Sequence, residues 1–310
     1  MWKRPFFILA SVVAAALCIG AALAFWVLSA PHPRFAEGDA QVLEQSGDPD
    51  RGRIVFAAAD CGSCHASPGQ PDRLRLGGGL ALASPFGTFR VPNISPDPDV
   101  GIGRWRTIDL ANALLSGVAP SGQHLYPALP YTSYAGMSVD DIRDLMAFLR
   151  TLRPVSSRPP DNELAFPFKI RRSIGLWKLL FFHPSPIEPD PERRQDWNRG
   201  RYLVEATGHC AECHSSRNAF GAIKASTRFA GGPDQEGLGY IPNLTPDHLA
   251  RWSAEDIVAM LKTGYTPDLR FVGSSMADVV VNTASLPDSD LAAIATYIKS
   301  LPARPTPPPS

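Results

Sequence analysis

The chain has no surplus of charge of either sign: 30 lysines and arginines balance 30 aspartates and glutamates over 310 residues. That balance removes the usual sequence argument for a nucleic-acid partner and for an acidic solvated tail. Cysteine is scarce, with five residues, and methionine equally so. Four of the cysteines stand in two short motifs rather than in a spread-out disulfide framework. The fifth, Cys18, lies in an apolar run and lacks the small preceding residue of a lipidated cysteine. Proline, by contrast, is abundant at 31 residues. It gathers between apparent helices and at Pro302 to Pro309, which reads as an extended or disordered tail. Short helices in long loops are expected rather than a bundle.

From Phe6 to Leu28 the chain carries no charge, long enough to cross the roughly 30 Å hydrocarbon core of a bilayer as a helix. A cleaved signal would have an apolar core of about 7 to 15 residues and a small-residue cleavage site. Here Pro31 and Pro33 follow instead, and a retained single-pass anchor is expected. Lys3 and Arg4 should stay cytoplasmic, sending everything after Leu28 across the membrane.

Compared with itself, the chain repeats. Cys61 to His65 reads CGSCH and Cys210 to His214 reads CAECH, 149 residues apart. Pro92-Asn93-Ile94-Ser95-Pro96-Asp97 returns as Pro242-Asn243-Leu244-Thr245-Pro246-Asp247, and Trp105 as Trp252. Each half then closes on an amphipathic helix, Ser138 to Leu152 with a cap-like Ser138-x-x-Asp141, and Pro287 to Leu301. Further helices are expected at Asp50 to Ala59, Asp196 to Ala206, Thr107 to Ser116 and Ser253 to Thr263. The halves divide the chain into an anchor (1–30), a first domain (31–153), a proline-rich linker (154–195), a second domain (196–302) and a tail (303–310). The linker contains Phe166-Pro167-Phe168-Lys169-Ile170-Arg171-Arg172 and Trp177-Lys178-Leu179-Leu180-Phe181-Phe182. Packing of these residues across the back of the domains is the simpler expectation. A membrane-surface or partner contact is the alternative.

CxxCH places two thiols where each can form a thioether to one vinyl group of a single porphyrin, with the next histidine beneath the iron. A thioredoxin-like CxxC would need a βαβ setting, and a structural zinc would need four ligands from one site. Neither suits two motifs far apart in matching helical and loop-rich contexts. Two covalent haem c groups are therefore expected, held by Cys61, Cys64 and His65 and by Cys210, Cys213 and His214. The second axial ligand of a low-spin carrier is commonly methionine. Met146 and Met260 fall within helical stretches, leaving Met276, expected in a loop, for the second iron and Met137 for the first. Met137 adjoins a helix cap, and Leu129 corresponds better to Met276 by position. His124 is the rival ligand for the first iron, and an open site is the third alternative. His32, His183, His209 and His248 read as structural.

In Pro85 to Phe89, Pro92 to Asp97, Gly101 to Trp105, His124 to Pro127, Arg199 to Glu205 and Gly208 to Cys210, the chain resembles the cytochrome c subunits of membrane-bound bacterial alcohol and aldehyde dehydrogenases. Two departures stand out. Alcohol dehydrogenase subunits usually carry three haems, and relatives often have methionine where Leu129 stands. The resemblance implies an all-α fold of two tandem class I cytochrome c-like domains after an N-terminal transmembrane helix. It also implies electron transfer from a catalytic dehydrogenase subunit, a molybdenum hydroxylase or a quinoprotein. The acceptor would be quinone, a terminal oxidase or a soluble cytochrome. The location would be the periplasmic face of the bacterial inner membrane. The chain shows no separate catalytic constellation. The competing function is a dihaem redox enzyme, peroxidase-like or thiosulfate-oxidising, with one open or unusual haem site.

Overall fold

The computed structural model describes residues 3–234 and 239–308. It begins with the helix Lys3–Leu28, in which Phe7–Leu28 is long and apolar enough to cross a membrane and is packed against almost nothing. Cys18 is exposed on it.

Beyond the apolar helix lie two modules of the same construction. In the first, helix Pro49–Ala58 is started by Asp48, whose carboxylate accepts from Asp50 N at 2.8 Å and Arg51 N at 3.2 Å, with Pro49 preset for the first turn. It crosses helix Val139–Thr151, which is capped by Ser138 Oγ accepting from Asp141 N at 3.1 Å. The crossing is close because Gly52 lies on the partner backbone, where a Cβ would stand 1.9 Å from Asp144 O. In the second module, helix Gln195–Tyr202 crosses Asp288–Lys299 through Gly200, where a Cβ would likewise stand 1.9 Å from Ala293 O. Ion pairs brace both crossings: Arg51 Nε to Asp144 Oδ2 at 2.8 Å, and Arg199 to both oxygens of Asp290 at 2.8–2.9 Å. Aromatic pairs join them, Phe56 with Phe148 at 5.3 Å and Trp197 with Tyr297 at 5.2 Å between ring centres.

Each module adds a third helix after its tryptophan, Thr107–Ser116 and Ala254–Thr263, both ended by a left-handed glycine, Gly117 and Gly264. The tryptophan carbonyl accepts from a cation of the closing helix: Arg150 Nη2 at 3.3 Å from Trp105 O, and Lys299 Nζ at 2.7 Å from Trp252 O. Two apolar cores result. One holds Leu76, Ile108, Leu115, Met137, Ile142 and Met146, and the other Leu203, Ile257, Leu261, Leu286, Leu291 and Ile298. They exchange members at the module boundary: Ala206 packs into the first core, Ala57 and Ala58 into the second.

The chain is not purely helical, which corrects the all-α expectation. Ala81–Ser84 and Gly87–Arg90 form an antiparallel hairpin, and Glu163–Leu164 from the linker adds a third strand with Gly87 opposite Leu164. A second, two-stranded pair joins Gly232–Pro233 to Tyr240–Ile241. The C-terminal segment is fixed rather than free. Arg304 O accepts from Asn243 Nδ2 at 2.8 Å, and Pro307 O from Tyr240 Oη at 2.6 Å. The linker does pack on the modules, Phe182 against Tyr131 at 5.1 Å and Phe168 against Phe86 at 4.8 Å. Part of its apolar surface nevertheless stays exposed: Phe166, Ile170, Leu179 and Leu180.

Candidate functional site: the two CxxCH segments

Each CxxCH segment follows its helix through one residue in the left-handed region, Asp60 at φ 53° and His209 at φ 38°. Aspartate and histidine are among the non-glycine types that tolerate this conformation. The helix leading to the second motif passes through a π-helical stretch, Leu203–Thr207, of the kind often found beside functional sites. The motifs themselves form the helical turns Cys61–His65 and Cys210–Glu212.

Both motif histidines are held identically. His65 Nδ1 lies 2.8 Å from Pro92 O, and His214 Nδ1 lies 2.7 Å from Pro242 O. A carbonyl only accepts, so the proton sits on Nδ1 and the lone pair is left on Nε2, the tautomer a metal needs. Burial lowers both imidazole pKa values against the opposing pull of these bonds, favouring the neutral, ligating form. Burial also pushes the Cys61 and Cys210 thiols up, Cys210 to about 12. These are apolar, protonated thiols rather than reactive thiolates. The donor set and its orientation therefore fit a covalently held haem iron.

The proline carbonyls are positioned by the asparagine that follows. Asn93 is buried, accepts from Ser95 N at 2.8 Å and donates to Val155 O at 2.6 Å and Ser157 O at 2.9 Å. Asn243 accepts from Thr245 N at 2.7 Å and donates to Arg304 O and Thr306 Oγ1. The carbonyl of each motif histidine is fixed as well, by Gly78 N at 2.9 Å and Gly231 N at 3.0 Å. In the sequence the Pro-Asn strings stand out as a repeat with no role attached. Their recurrence is the signal that could have marked them as functional.

The candidate distal residues fall in different places. Met276 is the second residue of helix Ser275–Thr283, not in the loop expected, and it packs on the second core. Matching bridges, Val118 to His124 and Tyr265 to Phe271, give a common reference in the two modules. Counting eleven residues from Val118 reaches Leu129, and eleven from Tyr265 reaches Met276. Met137, by contrast, immediately precedes the cap Ser138, just as Leu286 immediately precedes Pro287; both are buried core side chains. His124 is buried with Nε2 bonded to Ser29 O at 2.9 Å. It ties the first module to the end of the apolar helix.

The two sites also grip each other. Glu212, inside the second motif, accepts from Thr132 Oγ1 at 2.5 Å and Ser133 Oγ at 3.1 Å in the helical turn Tyr131–Tyr134. Its carboxyl, although burial opposes it, is held below the usual range by Arg217, 2.8 Å away, and by Thr132. In return, Asn282 of the Met276 helix donates to Asp60 and to Ser63 Oγ at the first motif, and Asp278 pairs with Arg73 at 2.7 Å. Tyr134 completes the contact, its hydroxyl donating to Ala59 O at 2.7 Å and its ring 5.4 Å from His209.

Residues 49–153 match the family model for cytochrome c, and residues 195–298 that for cytochrome c oxidase, cbb3-type, subunit III. Over 260 residues the chain is 50% identical to a protein of Cereibacter sphaeroides described as "Diheme cytochrome c-type", covering 83% of this chain and 87% of that one. The chain belongs to the dihaem c-type cytochromes. This cytochrome accordingly carries two covalently bound haem c groups and transfers electrons. It is also 38% identical over 259 residues to the fructose dehydrogenase cytochrome subunit of Gluconobacter japonicus (82% of this chain, 52% of that one). To a nicotinate dehydrogenase subunit of Pseudomonas putida it is 39% identical over 257 residues (83% and 21%). The cytochrome thus spans about half of the one relative and about a fifth of the other.

Proposed function

We propose that this cytochrome is a membrane-anchored relay on the periplasmic face of a bacterial inner membrane. It takes electrons from a catalytic dehydrogenase subunit, of molybdenum hydroxylase or quinoprotein type, and passes them to quinone, a terminal oxidase or a soluble cytochrome. The haem supplies the one-electron redox change, and the protein supplies orientation and surroundings. The observation that carries the reading is the matched pair of oriented histidines in two modules whose motif segments contact each other across one interface. The relatives named for fructose and nicotinate dehydrogenases support the class of donor, and the apolar helix supports the anchor. Purification of the full chain from detergent-solubilised native membranes should bring with it a subunit containing molybdopterin or pyrroloquinoline quinone, and that subunit's substrate should reduce both haems. A purified complex with no such cofactor and no substrate-driven reduction would overturn the donor assignment.

The two irons differ on their distal sides. Met276 is assigned as the sulfur ligand of the second iron. Met137 is the sequence candidate for the first, but it stands where the other module has the core residue Leu286, and the place equivalent to Met276 holds Leu129. That substitution favours a second reading, a redox enzyme whose first haem has an open distal face. Met276→Ala should abolish the sulfur-to-iron absorption at the red end of the spectrum and lower one potential, because thioether ligation raises it. Met137→Ala should leave that band and both potentials in place, whereas Leu129→Met should add a second band. Loss of a band in Met137→Ala would restore Met137 as a ligand. Ready binding of carbon monoxide by the wild-type ferrous protein would favour the enzyme reading.

A further inference from the structure

The surface of the linker beside the end of the apolar helix has the composition of a lipid interface. From Phe166 to Phe182 there are four basic residues, Lys169, Arg171, Arg172 and Lys178, and no acidic one. Along the same stretch Phe166 is 73% and Leu180 66% exposed, and Phe220, which stacks on Phe181 with ring centres 5.8 Å apart, is 62% exposed. So many large apolar side chains left bare next to arginines are unusual for a surface that meets only water.

The contacts of Arg172 and Gly175 fix the depth of this surface. Arg172 Nη2 donates to Trp26 O at 2.6 Å and its Nε to Ser29 Oγ at 2.9 Å, while the guanidinium lies 4.1 Å from the centre of the Trp26 ring. Helix Ile174–Phe181 then lies directly on the end of the apolar helix: a Cβ on Gly175 would stand 2.4 Å from Ser29 O, and Ser29 is wholly buried. A span ending at Leu28 places Trp26 and Ser29 at headgroup level, where tryptophan and arginine are favoured. Whatever is clamped to them sits at that level too. On its inner side the helix is tied to the modules, Trp177 Nε1 donating to Phe220 O at 2.9 Å and Lys178 Nζ to Ser116 O and Gly117 O.

We propose that the Phe166–Phe182 segment, with Phe220, is a second membrane contact that lies in the interface of an anionic bilayer beside the exit of the Phe7–Leu28 helix, fixing the orientation of both haem modules over the lipid. The occupant is lipid rather than a protein partner because the surface continues directly from the end of the span and, with Lys178 turned inward onto Ser116 O and Gly117 O, its remaining charged side chains Lys169, Arg171 and Arg172 are all basic, the pairing that binds interfacial helices to anionic headgroups. This second contact rests on the reading of Phe7–Leu28 as an anchor, and the test separates the two.

Full-length holoprotein is reconstituted into vesicles of phosphatidylcholine and phosphatidylglycerol, a lipid-borne diazirine is photoactivated, and labelled peptides are mapped by mass spectrometry. Label is expected both within Phe7–Leu28 and within Phe166–Phe182. The double variant Phe166→Asp, Leu180→Asp, altered at exposed positions only, should keep both haem spectra and lose label from 166–182 while retaining it in 7–28. Label confined to 7–28 in the wild type would overturn the second contact and leave the anchor standing. No label in either segment would remove the anchor reading and this proposal together. A wild-type 166–182 segment that takes no lipid label but is joined through Lys169 to a second copy by an added bifunctional amine cross-linker would also overturn it.

Discussion

At the scale of single residues, Pro92 and Pro242 act through a carbonyl, and Asn93 and Asn243 decide where that carbonyl points. Asn93→Ala deletes one acceptor and two donor bonds at a buried position, at a cost of roughly 1–3 kcal/mol for the groups left unpaired. The expected outcome is a lower melting midpoint and a shifted potential for the first haem with the second little changed; Asn243→Ala should reverse the pattern. Thermal melts and redox titration of the holoprotein check both. The strings are visible in the sequence because they recur, but their purpose is not, since a backbone carbonyl leaves no signature in a side-chain pattern. The same holds for His124: its residue type allows ligation, and only the fold brings Ser29 O to its Nε2.

Among the elements, the helix crossings set the frame on which each CxxCH segment is mounted. Gly52→Ala and Gly200→Ala would drive a methyl into a facing backbone carbonyl that cannot step aside as a side chain could. Overpacking of this kind costs about 1–3 kcal/mol, so each variant should melt earlier than wild type by calorimetry, while alanine at the exposed Gly38, whose Cβ would meet nothing within 4 Å, should not. The long helices are legible in the sequence because period and caps agree, as at Ser138 and Ser253. Helix Ser275–Thr283 is not. Its run Val279-Val280-Val281 is β-branched and a poor intrinsic helix former, and the helix is held by contacts made about 200 residues away in the chain, Asn282 to Ser63 and Asp278 to Arg73. The four-residue strands Ala81–Ser84 and Gly87–Arg90 are equally hidden, being too short for alternation to register.

For the molecule as a whole, the reciprocal grip of the modules depends on charge state. The folded Glu212 carboxyl takes up its proton less readily than the unfolded one. Its contribution is therefore present above the ordinary glutamate value of 4.5 and is lost as pH falls through the lower folded value. Asp60, whose carboxyl burial pushes up, works with the opposite sign. Glu212→Gln should destabilise the holoprotein by roughly 1.5–3 kcal/mol at neutral pH, the range for a hydrogen-bonded charged group, and the gap to wild type should narrow below about pH 4.5. Melts of both proteins across that range measure it. None of this can be read from the repeat, because Glu212 and its positional counterpart Ser63 differ in kind and their partners lie in the other half of the chain. Because each motif segment rests on the other module, the two redox sites share one thermodynamic cycle. Any change that reducing one site makes in the midpoint of the other must be returned in equal measure, so a titration of the pair is governed by two intrinsic midpoints and a single interaction constant, whichever site fills first.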